Sequence, residues 1–238
     1  MKSYADSFLE LIYPEKNTCF ICEDYDESIN DKYICSHCEK LLKKLEPPLC
    51  KKCSKPISYS STTELCPECS EEAKYFEISR SPYAYEGLIK KAIYSYKYYN
   101  KPYFYKLFGN LLVDYMISAD YKDFDYIVAV PLHPSKMRKR GYNQSELIGK
   151  YISEKLSIPY VNALKRTKKT IKQSEQSKMQ RKKNLKDAFE IKNSKDKIIN
   201  STVLLVDDIY TTGSTVDECS KVLINNGASK VYVITIAR

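Results

Sequence analysis

Eight of the nine cysteines fall into four Cys-x-x-Cys pairs, and this pattern constrains the first third of the chain more than any other feature. The pairs are Cys19 and Cys22, Cys35 and Cys38, Cys50 and Cys53, and Cys66 and Cys69, with 12, 11 and 12 residues between successive pairs. A Cys-x-x-Cys turn presents two thiolates on one side of a tight knuckle, and two knuckles complete a tetrahedron around zinc with Zn–S near ~2.3 Å. Disulfide frameworks rarely show such even spacing, so two zinc sites of four cysteines each are expected. With every position filled by protein, the metals are structural rather than catalytic. Sequential pairing puts Cys19, Cys22, Cys35 and Cys38 on one ion and Cys50, Cys53, Cys66 and Cys69 on the other. A cross-braced pairing uses the same residues, and spacing leaves both open. His37, inside Cys-Ser-His-Cys, is placed to substitute for a neighbour, whereas Cys219 reads as an ordinary packed cysteine on a helix.

The chain has 238 residues, 29% of them charged and 43% hydrophobic, which is globular composition sufficient for one or two domains. No apolar run approaches the ~18 residues of a membrane span. The N-terminus carries Asp6 and Glu10 and no long apolar stretch, so no secretory signal is expected. Two histidines, His37 and His133, exclude a His-rich metal centre. Charge divides the chain unevenly. Residues 1–76 hold 10 Lys and Arg against 14 Asp and Glu, a formal −4; residues 77–238 hold 29 against 16, a formal +13. A polyanion should therefore meet the second region, and the cysteine-rich region should pack against it or against a protein. We place the boundary just past the last Cys-x-x-Cys, giving a double zinc-ribbon-like domain over 1–76 and a second domain over 77–238. Pro47-Pro48 separates the two cysteine units.

In the second region apolar spacing predicts alternating helices and strands. Leu88, Ile89, Ala92, Ile93 and Tyr96 recur with helical spacing, as do Leu107, Leu111, Leu112 and Tyr115. The runs 126–130, 202–206 and 231–236 are continuous and apolar, as in buried strands. Helices are expected over 145–156 and over 214–226, the latter closed by Gly227 at the C′ position. This order predicts an α/β fold with a doubly wound, mostly parallel sheet.

The segment 203–215, VLLVDDIYTTGST, carries the most chemistry. A buried strand runs into Asp207 and Asp208, then a turn opens a helix, and ligands bind at the carboxyl ends of such strands. Gly213 permits positive φ and close backbone approach. Backbone amides of Thr211, Thr212, Gly213, Ser214 and Thr215 form an anion nest for a phosphate, and the Ser and Thr hydroxyls add donors. Asp207 and Asp208 can accept bonds from two ribose hydroxyls or hold Mg²⁺. Acids beside a phosphate would repel it unless they face a sugar or a metal, so a sugar phosphate fits best.

These thirteen positions resemble the signature of type I phosphoribosyltransferases, which bind phosphoribosyl pyrophosphate (PRPP). The resemblance places Pro131, Leu132 and His133 in the pyrophosphate loop. It extends through RGYNQ (Arg140, Gly141, Tyr142, Asn143, Gln144) and a stretch containing Arg166, Thr167, Thr170, Gln173, Arg181, Asn184, Ala188 and Phe189. With the cysteine pairs, this order resembles the ComF/GntX family of competence-associated phosphoribosyltransferase-like proteins over nearly the whole chain. The resemblance implies a type I phosphoribosyltransferase-like sheet, PRPP and Mg²⁺ as ligands, and a cytoplasmic protein handling incoming single-stranded DNA at the inner face of the membrane. It also implies a competence helicase or translocation-channel partner and no membrane insertion. Arg166, Gln173 and Arg181 correspond to a loop over the PRPP site, and Arg140 is placed to reach the pyrophosphate.

Two segments suit a polyanion directly. Residues 164–186 contain ten Lys and Arg and one acid, Glu175. Lys90–Lys106 interleaves Lys with Tyr, the pattern of single-strand binders, although Ile93 and Tyr96 share a core face. Three functions are therefore expected in order: a PRPP-binding, ComF-type phosphoribosyltransferase; a non-catalytic single-strand binder or adaptor with a vestigial pocket; and a phosphoribosyltransferase of nucleotide metabolism. The paired cysteine units and the lack of a glutaminase domain weigh against the last.

Overall fold

The computed structural model describes residues 17–59, 63–168, 185–192 and 195–238. In chain order the elements are a 3₁₀ turn (Glu27–Lys32), α1 (Ser36–Lys40), α2 (Pro67–Glu71), β1 (Ser79–Arg80), α3 (Gly87–Tyr98), α4 (Phe104–Ser118) and β2 (Tyr126–Ala129). There follow α5 (Pro134–Arg140), α6 (Gln144–Leu156), β3 (Leu164–Arg166), β4 (Phe189–Ile191), α7 (Lys195–Ile198), β5 (Thr202–Ile209), α8 (Ser214–Asn225) and β6 (Lys230–Ala237). β1, β6, β5 and β2 pair in that order, all parallel, while β3 and β4 form a separate antiparallel ribbon.

β5 and β6 are apolar runs because both faces of the sheet are covered. Period-2 alternation sorts their side chains into two cores. Leu204, Val206, Ile234 and Ile236 meet Ile89, Ile93, Leu107, Leu112, Ile148 and Ile152 of α3, α4 and α6. Val203, Leu205, Val231 and Val233 meet Val216, Cys219 and Leu223 of α8, together with Leu164 and Phe189 of the ribbon. Cys219 is fully buried there, as its place on an apolar helix face predicts. Gly227, with φ +104°, follows α8 and turns the chain into β6.

The cysteine-rich region divides between these cores. Cys19, Phe20, Ile34 and Cys38 join the cluster containing α3, α4 and α6, where Phe20 stacks on Tyr33 at 4.8 Å and meets Tyr103 edge-on at 4.9 Å. Burying a ring such as Phe20 contributes about 1.5–3 kcal/mol. Cys50, Cys53, Cys66 and Phe76 join the opposite cluster beside α8. Ion pairs join the two regions in both senses, Glu23 with Lys101 at 2.6 Å and Lys43 with Glu86 at 2.5 Å. Among the described residues no helix is long and apolar enough to cross a membrane.

α4 and α6 pack closely because Gly109 lies under Tyr151, whose hydroxyl donates to Asn110 Oδ1 at 2.7 Å. A Cβ at Gly109 would lie 2.3 Å from Tyr151 Cδ1. Helix propensity favours alanine by about 1 kcal/mol, but overpacking costs about 1–3 kcal/mol. Gly109→Ala is therefore expected to lose up to about 2 kcal/mol of stability in urea unfolding. A midpoint at or above the parent's would show that the two helices can separate freely.

Candidate functional site

β5 delivers Asp207 and Asp208 at its carboxyl end, and Tyr210–Gly213 turn the chain into α8. Gly213 is the N-cap of α8 at φ +76°, and a Cβ there would lie 2.2 Å from the Tyr210 hydroxyl. Both backbone angle and space therefore demand glycine. Thr212 Oγ1 lies 2.9 Å from Ser214 Oγ and accepts weakly from the Ser214 N–H, shaping the turn. The result is a helix N-terminus of the kind that takes an anion.

The acids are tied from three directions. Ser145, at the start of α6, donates to Asp207 Oδ1 at 2.9 Å, and the Asp208 N–H donates to the same oxygen at 2.9 Å. Lys97 Nζ of α3 donates to Asp208 Oδ1 at 2.7 Å. Burial, and then the neighbouring Asp208 charge, push the Asp207 carboxyl up to about 7.

A cleft of about 680 Å³ opens over these groups. It brings together Asp207, Asp208, Thr211, Gly213 and Thr215 with Pro131, Leu132, Arg140, Gly141 and Arg166, all singled out from sequence. Other expected residues stand behind it. His133 caps α5, its Nδ1 accepting from the Ser135 N–H at 3.2 Å, and Asn143 Nδ2 donates to the Val130 carbonyl at 3.1 Å. The Gln144 side chain accepts from Arg140, and its carbonyl accepts from the Tyr96 hydroxyl at 3.0 Å. Tyr142 donates to the Tyr96 carbonyl. RGYNQ thus holds Arg140 in the cleft and pins α3 beside it, while Gly141, at φ +83°, ends α5. Arg166 ends β3, against the ring of Phe189 in β4. Gln173 and Arg181, with Thr170 and Asn184, lie outside the described residues.

Sequence reasoning missed four contributors. Lys97 was visible only as one lysine in a Lys- and Tyr-rich stretch. Lys136 sits one turn before Arg140 on α5, and its ammonium is held below the usual lysine range by burial and then by Arg166, Arg140 and Lys97. Burial likewise lowers Arg166. These cations crowd one another, and a polyanion in the cleft would relieve that strain. Ser145 directly follows RGYNQ, which was the available signal for it. Tyr98 is exposed at the rim, with Arg140 5.6 Å from its ring centroid.

The cysteines assemble sequentially. Cys19, Cys22, Cys35 and Cys38 form one cluster and Cys50, Cys53, Cys66 and Cys69 the other, with ligand atoms within 4.8 Å of one another in each. His37 is exposed and belongs to neither. The sulfurs of Cys22 and Cys35 lie 3.8 Å apart, and those of Cys53 and Cys66 3.6 Å. A zinc tetrathiolate has an S···S edge of about 3.8 Å, so the donor sets fit that ion. Burial pushes the Cys66 thiol up to about 11, and burial with the neighbouring sulfurs raises Cys69. A divalent cation reverses both effects by binding the thiolates.

Both regions of the chain match known families. Residues 8–72 match the double zinc ribbon domain, and residues 143–238 match the phosphoribosyl transferase domain. Competence protein F of Haemophilus influenzae is 32% identical over 212 residues, covering 86% of this chain and 90% of that protein. DNA utilization protein YhgH of Escherichia coli K12 is 29% identical over 210 residues, covering 86% and 90%. The solved allosteric regulatory enzyme of purine biosynthesis overlays with a TM-score of 0.37 at 18% identity, covering 54% of this chain and 25% of that one.

Because Asp207 titrates near 7 when folded and near 3.8 when unfolded, the native state holds the extra proton between those values. This carboxyl therefore subtracts stability progressively as pH rises through that window. Asp207→Asn removes the ionisation and keeps an acceptor for Ser145. The variant's Tm advantage over the parent is expected to be near zero at about pH 4 and to grow towards pH 8. A difference that stays flat across this range would contradict the assignment. For the cysteine sites, a strong chelator is expected to strip two zinc ions per chain and lower Tm, and to do so more readily as pH falls, because thiols compete with the metal for protons.

Proposed function

The chain belongs to the ComF family of competence proteins, and on that basis we propose that it binds PRPP with Mg²⁺ in this cleft and handles incoming single-stranded DNA in natural competence. The observation that carries the reading is the meeting of a phosphate loop, an acid pair and a set of cations in one cleft. Thr211, Thr212, Gly213, Ser214 and Thr215 would hold the 5′-phosphate. Asp207 and Asp208 would take the ribose hydroxyls or Mg²⁺, which would neutralise charge between them and the diphosphate. Arg140, Arg166 and Lys136 would hold the pyrophosphate, with Pro131–His133 shaping its loop. Residues 1–76 serve as the zinc-binding support and 77–238 as the PRPP-binding domain, in the cytoplasm.

In a transferase, an acceptor nucleophile forms a bond to ribose C1 as the C1–O bond to pyrophosphate breaks. The cations then stabilise charge developing on the leaving group. The Lys97–Asp208 ion pair favours a second reading, in which the pocket binds without transferring, because one acid is already neutralised from within the chain. In either case the strand would run from the cleft across Tyr98, which lines it and clusters with the exposed rings of Tyr94 and Tyr99, the centroids of Tyr98 and Tyr99 lying 4.7 and 5.8 Å from that of Tyr94. Exposed rings beside cations suit stacked bases.

Thermal unfolding tests the pocket. Mg²⁺–PRPP at about 100-fold over its Kd should stabilise the parent by roughly 2.7 kcal/mol and leave the Asp207→Asn/Asp208→Asn variant unmoved. No shift in zinc-loaded parent protein would remove PRPP from the proposal. Pyrophosphate release with candidate acceptors separates transferase from binding module. For DNA, Tyr94→Ala/Tyr98→Ala is expected to weaken oligothymidylate binding by at least about tenfold. Affinity should fall steeply with salt. Unchanged anisotropy titrations would move the strand elsewhere.

A further inference from the structure

We infer that the second four-cysteine site is the buttress of the phosphate loop, and that Tyr210 and Arg238 carry its metal occupancy to the backbone of Thr211–Thr215. The inference rests on reading that loop as a phosphate cradle. It does not depend on which phosphate the loop takes.

Tyr210 leaves β5 directly before the loop and is buried. Its hydroxyl packs so tightly under Gly213 that the loop backbone cannot settle towards it. Phe76 meets the Tyr210 ring edge-on at 6.3 Å, and the Arg238 guanidinium lies 4.9 Å from the ring centroid. The same guanidinium donates to the Cys53 carbonyl, part of the knuckle that the Ser54 N–H closes onto Cys50 at 2.9 Å. Arg238 is itself anchored: its N–H donates to Tyr83 at 3.0 Å, and its carbonyl accepts from Tyr85 at 2.7 Å. A second tether leaves the chain just past Cys69. The Tyr75 N–H donates to Asp217 Oδ1 at 2.9 Å, and the Asp217 N–H donates to the Gly213 carbonyl at 2.9 Å. The loop is thus gripped from behind before its first residue and again in the first turn of α8. Cys19 and Cys38 of the other site belong to the core on the opposite face of the sheet.

The electrostatics also need this arrangement. A zinc tetrathiolate is net negative, and placed behind an anion cradle it would weaken phosphate binding. Arg238 stands between the two and offsets that charge. An anion nest works only while its amides converge. Losing the metal uncouples four thiols, frees the Cys53 carbonyl and removes the support under Arg238 and Tyr210.

The test uses full-length, zinc-loaded protein. Hydrogen exchange of the amides in 209–217, zinc content by mass spectrometry and Mg²⁺–PRPP affinity are measured together. Cys50→Ser/Cys53→Ser is expected to lose one zinc, exchange faster in the loop and bind PRPP about tenfold or more weakly. Cys19→Ser/Cys22→Ser should also lose one zinc but leave loop exchange unchanged. Arg238→Ala should keep both zinc ions and still loosen the loop, and Tyr210→Phe, which removes the hydroxyl under Gly213 but retains the ring, should keep both zinc ions and loosen it to a smaller degree. If the cysteine variant fails to fold, Arg238→Ala decides. Unchanged loop exchange in Arg238→Ala, or equal loosening from either cysteine pair, overturns the inference. Should the parent bind no PRPP while loop exchange still follows the second site, the PRPP reading fails and the buttress stands.

Discussion

Two carboxylates held side by side at the end of a parallel strand, against a loop built for an anion, repel each other and repel the ligand. The rest of the site is organised around that conflict. Ser145 and the Asp208 amide hold Asp207, whose carboxyl is pushed up to about 7 by burial and then by the neighbouring Asp208 charge. Lys97 neutralises Asp208 from α3. Lys136 and Arg140 from α5 and Arg166 from β3 surround the pair, so no single segment supplies the balancing charge.

Those cations must also be kept in place, and this is the work of the hydrogen bonds around RGYNQ. Tyr142 and Gln144 both grip Tyr96, the residue before Lys97, and Gln144 also accepts from Arg140. One short segment thereby positions cations on two helices. Much of this chemistry is positional: Asn143 and His133 shape backbone, and Arg140 lines the cleft.

The two four-cysteine sites solve a different problem. Short segments with little helix and almost no sheet must be fixed to a domain whose cores lie on opposite faces of one sheet. Each site carries its own aromatic anchor, Phe20 towards α4 and Phe76 towards α8, and each joins a separate core. The cysteine-rich region is therefore wrapped around the sheet rather than appended to it, which brings the second site behind the turn from β5 into α8.

Much of this was legible in the chain. The cysteine spacing, the apolar runs of β5 and β6 and the segment from Asp207 to Thr215 are local patterns, and local patterns determine knuckles, strands and a helix N-terminus. The two-residue strand β1 and the partition of the cysteine sites between cores left no periodic signal, because pairing and burial there depend on distant partners. Lys97 and Asp208 are 111 residues apart, and Arg238 and Cys53 are 185 apart. By itself, then, the sequence determined the fold class, the eight grouped cysteines and the glycine turn that opens α8. The tertiary structure decided which lysine neutralises which acid and which four-cysteine cluster lies behind Tyr210 and the turn into α8, because charge balance and close packing are properties of residues that meet only when the sheet is closed on both faces.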